Sequence, residues 1–105
     1  SMINPRKKGH SYELKIISEL QRWFPDAVST RSESKRLDDK GVDICYTGEF
    51  HIQCKAVEKL GSHHDILGRM PDDKIRLVVH KRNRKGETVT LYKDDFYRML
   101  ERWMQ

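Results

Sequence analysis

The segment Ile75-Arg76-Leu77-Val78-Val79-His80 constrains this chain more than any other. It is almost continuously apolar and rich in β-branched residues, without the in–out alternation of a strand that has one wet face. A strand of this kind sits inside a sheet whose two faces are both covered, and the covering elements are normally helices. A chain of 105 residues is one domain by length, read here as residues 2–105, with Ser1 as a vector-derived residue ahead of Met2. The expectation is an α/β domain, with a mixed β-sheet of about five strands flanked by helices. So short a chain has little core to spare, and a second copy can supply buried area.

The remaining elements follow from punctuation and period. Asn4-Pro5 is a helix-start signal: Asn accepts at the N-cap, and Pro is preset for the first helical position. The helix is expected to run to about Trp23 and stop before Pro25. Its apolar stripe is Tyr12, Ile16, Ile17, Leu20, Trp23 and Phe24. Gly9 inside it costs about 1 kcal/mol relative to Ala, so it marks either a break or the close approach of another backbone. Ala27–Thr30 is a short strand candidate. Residues 31–41, rich in Ser and mixed charge and lacking a period, read as a mobile surface loop. Val42–Tyr46 and His51–Val57 read as two strands joined by a turn at Thr47-Gly48. A loop with a short helix around Asp65–Arg69 leads into the Ile75–His80 strand. Asn83-Arg84-Lys85-Gly86 then turns the chain into Thr88–Tyr92. A last helix carries Phe96, Met99, Leu100 and Trp103 on one face, with Asp94-Asp95 suited to its positive end.

Charge narrows the function classes. Lys+Arg number 21 against 16 Asp+Glu, a formal net charge of +5. The cations cluster as Arg6-Lys7-Lys8, as Lys81-Arg82-Asn83-Arg84-Lys85, and more loosely as Arg31, Lys35, Arg36 and Lys40. Such clustering favours a polyanionic partner, held in a salt-dependent way by counterion release. No apolar run approaches the ~20 residues of a membrane span, and no charged-then-apolar leader is present. Cys45 and Cys54 fall on strand-like segments without zinc-finger spacing, which points away from disulfide or Cys–zinc chemistry and towards the reducing cytoplasm. His63-His64-Asp65 has no further ligand at a suitable spacing and reads as polar loop. Trp23 and Trp103, at helical spacings, read as core or dimer-interface residues.

Three polar features run against the apolar grain. Glu13 stands three, four and seven residues before Ile16, Ile17 and Leu20, on the inward stripe of the first helix. A buried lone carboxylate is costly unless it is paired or holds a metal. Asp43 interrupts the apolar Val42-Asp43-Ile44. Gln53 and Lys55 are two apart, hence on one face of their strand, while Ile52, Cys54 and Ala56 face the other way. Each has an ordinary explanation: Glu13 at the stripe edge, Asp43 capping a strand, Gln53 and Lys55 on a wet face. Together they are more specific. In an antiparallel hairpin, Asp43 shares the Gln53/Lys55 face only if the connection holds an odd number of residues or the ladder has a bulge, unless Asp43 lies at the frayed start of its strand. In that register, with the first helix packed on the same face, Glu13, Asp43 and the Gln53 amide oxygen make a hard oxygen site suited to Mg²⁺ or Mn²⁺. Lys55 beside it can position a water or stabilise charge on a phosphate. The implied chemistry is metal-assisted phosphodiester hydrolysis.

These residues resemble the PD-(D/E)XK nuclease superfamily, and within it the small Holliday-junction resolvases of archaea and their phages. The matching segments are Lys8-Gly9-His10-Ser11-Tyr12-Glu13, Gly41-Val42-Asp43-Ile44 and Ile52-Gln53-Cys54-Lys55. The likeness extends to the order of elements over most of the chain, and implies a restriction-endonuclease-like fold. It also implies metal-binding carboxylates at Glu13 and Asp43, a catalytic lysine at Lys55, and Gln53 in the place of the second motif carboxylate. That last substitution departs from the pattern and leaves the site one negative charge short. Glu33 or Asp39 could swing in from the loop, or the domain could bind DNA without cutting it. The resemblance further implies Mg²⁺ or Mn²⁺ as cofactor and a homodimer acting on four-way or other branched DNA, in the cytoplasm of a prokaryotic, archaeal or phage-infected cell. Candidate DNA contacts are Arg6, Lys7, Lys8, Arg31, Ser32, Ser34, Lys35 and Arg36, with Ser32 or Ser34 as a catalytic serine. Lys81, Arg82, Arg84 and Lys85 are left to solvent as a hairpin tip.

Overall fold

The computed structural model describes residues 4–104, so Ser1 and Met2 lie outside the described residues. Asn4 Oδ1 accepts the Arg6 N–H at 3.0 Å, and Pro5 opens helix α1 (Pro5–Leu20). The helix ends three residues before Trp23, because Gln21 caps it and a turn leads to Pro25. Then follow β1 (Val28–Ser29), α2 (Thr30–Glu33), α3 (Lys35–Asp39), β2 (Ile44–Cys45), β3 (Phe50–Ala56), α4 (His63–Arg69), β4 (Ile75–Arg82), β5 (Gly86–Thr90) and α5 (Lys93–Trp103). The strands form one mixed five-stranded sheet in the order β1-β2-β3-β4-β5. Neighbours are antiparallel except β3 and β4, which run parallel, with Ile52 opposite Leu77 and Lys55 opposite His80.

Both faces of β4 are covered, as its apolar run requires. On one face α1 lays Tyr12, Ile16 and Ile17 over Ile44, Ile52, Cys54 and Ala56, with Leu77 and Val79 alongside. On the other, Leu67 and Met70 from the α4 region pack with Val42 and Val78, joined by Leu37. Cys54 is therefore a buried hydrophobe on the face away from Lys55, and both Cys45 and Cys54 are free thiols.

Four expectations need correction. Residues 31–41 are not a loop without order but two short helices and a turn. Ser29 Oγ accepts the Arg31 N–H at 3.3 Å and Ser34 Oγ accepts the Leu37 N–H at 3.2 Å, so serines that read as loop composition are N-caps. Thr30, wholly buried, donates to Val42 O at 2.6 Å and ties α2 to the strand beyond. Second, α1 covers the Ile52/Cys54/Ala56 face, not the Gln53/Lys55 face, because its apolar stripe meets the apolar side of β3. Third, α1 is continuous through Gly9, and a Cβ there would have no atom within 4 Å, so neither a break nor a close backbone explains this glycine. Fourth, Trp23 and Trp103 are not core residues, being 63% and 73% exposed.

Candidate active site at the fork between β2 and β3

Asp43 sits one residue before β2, where two strands begin to part. Its N–H donates to Ile52 O at 2.8 Å and its carbonyl accepts from Thr30 N–H at 3.0 Å. Its side chain then replaces the next ladder acceptor, Oδ2 accepting the Cys54 N–H at 2.8 Å. The backbone passes from one sheet face to the other here: Val42 belongs to the α4-side core and Ile44 to the α1-side core. Ile44 lies opposite Ile52, so residues 45–51, an odd number, separate the paired positions. Four residues, 46–49, lie between the assigned strand ends, with Tyr46 leaving β2 at φ 62°. Asp43 thus occupies the frayed strand start at which the parity constraint relaxes.

This position lets groups from both faces act on one carboxylate. Burial raises the Asp43 pKa from 3.8 to about 6; the Cys54 N–H lowers it, Glu13 raises it and Lys55 lowers it again. Glu13, on α1, thus adds its charge to the field at Asp43 although α1 covers the face opposite Lys55. Glu13 is 3% exposed. Its Oε1 accepts from Ser29 Oγ at 2.6 Å, and its Oε2 lies 3.7 Å from the exposed guanidinium of Arg31. One hydroxyl and one distant guanidinium are a thin shell for a buried carboxylate.

Gln53 and Lys55 are half-buried on the α4 side. Gly41, at φ +79°, holds the turn beneath them: a Cβ there would lie 3.7 Å from Gln53 Oε1 and 3.6 Å from Arg69 Cδ. Arg69 reaches across from α4 and donates to Asp39 O at 2.9 Å. This cation bordering the Gln53 amide was not anticipated; its only signal was a position in the last turn of a helix too short to show a period. Ser29 was missed as well, hidden in a strand candidate.

The other anticipated residues are more scattered. Arg31 joins the site through Glu13. Ser32 Oγ donates to Ser29 O at 3.3 Å, and Ser34 is committed to capping α3. Lys35 pairs with Asp39 at 3.2 Å, and Arg36 is exposed on α3. Glu33 accepts from the Tyr46 hydroxyl at 3.2 Å. Neither Glu33 nor Asp39 joins the site; the additional acid felt by Asp43 is Asp38. Arg6 and Lys7 are exposed and Lys8 half-buried on the first turns of α1. Lys8 and Gly9 line a cleft of about 430 Å³ together with Lys55. His63 and His64 stack at 4.5 Å on α4. Among the described residues no three His, Cys, Asp or Glu side chains gather as a metal cage. Carboxylate and amide oxygens, the donors that Glu13, Asp43 and Gln53 could offer, suit a hard cation rather than a soft one.

No family model matches the chain, no curated protein is significantly similar to it, and no solved structure matches its fold. Among the described residues no helix is long and apolar enough to cross a membrane.

Proposed function

We propose that this chain is a divalent-metal-dependent endonuclease of the PD-(D/E)XK type that hydrolyses DNA phosphodiesters, resolving four-way junctions or other branched DNA as a homodimer. The observation that carries the reading is Asp43: a half-buried carboxylate at a strand fork, acted on by Glu13 from one face and Lys55 from the other. Two acids that repel each other, one buried and one half-buried, favour a bound cation, which relieves both the burial and the repulsion. Glu13, Asp43 and the Gln53 oxygen are the groups that would hold Mg²⁺ or Mn²⁺. When bound, such an ion neutralises phosphate charge and makes water more acidic. Lys55 supplies an ammonium at the same place, able to orient the attacking water and to stabilise charge accumulating on the phosphate oxygens. The Cys54 N–H fixes the Asp43 carboxylate so that it need not reorganise during the reaction. Arg69 borders the Gln53 side and offers a cation towards which a phosphate can turn.

The apolar face of α5 supports pairing of two copies. Phe96, Met99, Leu100 and Trp103 lie at helical spacing, and Phe96 and Trp103 are exposed. A two-fold pair would present two such sites to a symmetric junction.

A second reading, a DNA-binding module that does not cut, is favoured by two observations. Glu13 is already engaged by Ser29 and Arg31, and Gln53 is neutral. One assay separates the readings: incubation with a synthetic four-way junction, linear duplex and single strand, with Mg²⁺, Mn²⁺ or EDTA. Paired symmetric cuts in the junction, dependent on the metal, support resolution. Metal-dependent cutting of linear duplex supports a nuclease with another substrate. Tight binding without cutting under either metal leaves only the module.

A further inference from the structure

We propose that a DNA phosphate track runs through the basic cleft between the N-terminal half of α1 and the end of β4, and leads into the Lys55 site. This deepens the nuclease reading and rests on its DNA-binding part. The cleft has a volume of about 410 Å³ and is lined by Lys7, Lys8, Lys15 and Lys81, with Ser11 and Tyr12. Lys8, Ser11 and Lys15 stand at three- and four-residue intervals and so form one stripe along α1. Lys81 meets them from β4. It belongs to the strand rather than to the solvated hairpin tip, which begins beyond Arg82. The second cleft, with Gly9 and Lys55, shares Lys8 and Ala56 with the first, so the two are one trough.

Tyr12, 4% exposed, lines the cleft with its hydroxyl towards the Glu87 carboxylate; burial and then that interaction hold its pKa above the ordinary tyrosine value. One observation apart from charge points to an occupant. Gly9 is unexplained by folding: it lies in a continuous helix and nothing abuts it. A side chain there would project over the trough beside Lys55. The acids along the trough are Glu87, 3.4 Å from Lys15 and opposite Lys81 in the ladder, and Glu58, which lines the second cleft. Five lysines against two carboxylates leave a positive trough, suited to consecutive phosphates of a polynucleotide rather than to one anion.

The test is binding of a labelled duplex and a labelled four-way junction in EDTA, followed by fluorescence anisotropy over a range of salt. Lys81→Gln is expected to weaken binding on the order of tenfold and lower the salt slope by about 1, as loss of one phosphate contact does. Glu87→Gln is expected to move both quantities the other way. Gly9→Leu is expected to raise Tm, since Leu is the better helix former, while weakening DNA binding, a pairing that misfolding cannot produce. The track is overturned if wild-type protein binds DNA but Lys81→Gln and Glu87→Gln leave affinity and slope unchanged, or if Gly9→Leu binds as wild type does. Displacement of the DNA by inorganic phosphate at equal phosphate concentration also overturns it, in favour of a single-anion pocket. Failure of the wild-type protein to bind any DNA would instead sink the nuclease reading itself.

Discussion

At the β2–β3 fork a carboxylate is buried, with Glu13 3% exposed, in a place where hydrocarbon would be easier to accommodate. Along α5 the reverse holds: Trp103 is 73% exposed in a place where a charged side chain would be better solvated. The difference lies in what each region lacks. A buried acid with a thin hydrogen-bond shell gains most from a cation. An exposed apolar stripe at helical spacing gains most from another apolar surface. Neither arrangement is what stability of the isolated chain selects; on the proposed reading a cation completes the first and a second copy of the chain the other.

The sharpest way to break this comparison is Asp43→Ala. Cleavage is expected to fall by at least about a thousandfold, the scale of losing metal-assisted charge stabilisation, while junction binding in EDTA stays within a few-fold. Unchanged cleavage rates would remove the fork from the chemistry. Next in size is a pH effect on the metal-free protein. The Asp43 pKa rises from 3.8 unfolded to about 6 folded, so the folded state holds an extra proton between those values. The stability that proton confers is complete below pH 3.8 and is lost as pH rises through 6. Asp43→Asn, which can still accept from Cys54, is expected to be more stable than wild type at pH 8 by up to about 3 kcal/mol and no more stable at pH 4. Urea denaturation at the two pH values checks it, and equal gains at both would show that burial does not penalise this acid.

On the other side of the comparison, Phe96→Ser with Trp103→Ser is expected to weaken self-association on the order of 30-fold, as truncation of aromatic anchors does. Sedimentation velocity across a dilution series measures this; wild-type protein that stays monomeric at the highest concentration would make the α5 face a site for something other than a second copy. The smallest expected effect is Gln53→Glu, which restores a negative charge beside Glu13 and Asp43. The Mg²⁺ concentration for half-maximal cleavage is expected to drop roughly tenfold, and an unchanged metal titration would place position 53 outside the ligand set.

Much of this was readable from residue order because the signals were long or chemically exclusive. Asn4-Pro5 announced α1, and the Ile75–His80 run announced a strand covered on both faces. Glu13, Asp43 and Lys55 stood out because each conflicted with its apolar setting. What stayed hidden was short or depended on chain path. Two helices of about one turn each show no period, and their serine caps resemble loop composition. Which face α1 covers could not be separated from which face Glu13 serves, since only the change of face at Asp43 lets a residue from one side act beside Lys55 on the other. Lys81 was dismissed as hairpin tip because the end of β4 was placed two residues early, and Arg69 acquires its place only through the chain path that brings α4 beside Asp39.

The one parallel pairing, β3 with β4, also divides the molecule in time. β2–β3 and β4–β5 are antiparallel neighbours that can close through the short connections 46–49 and 83–85, whereas adding β1 requires residues 30–43, and joining β3 to β4 requires residues 57–74 to span the sheet. Contacts between distant segments form late because ordering the intervening chain costs entropy first. The acids at the fork thus lie within α1 and the first of these folding units, while the lysine trough, with Lys81 on one wall and α1 on the other, is assembled only when the two units dock.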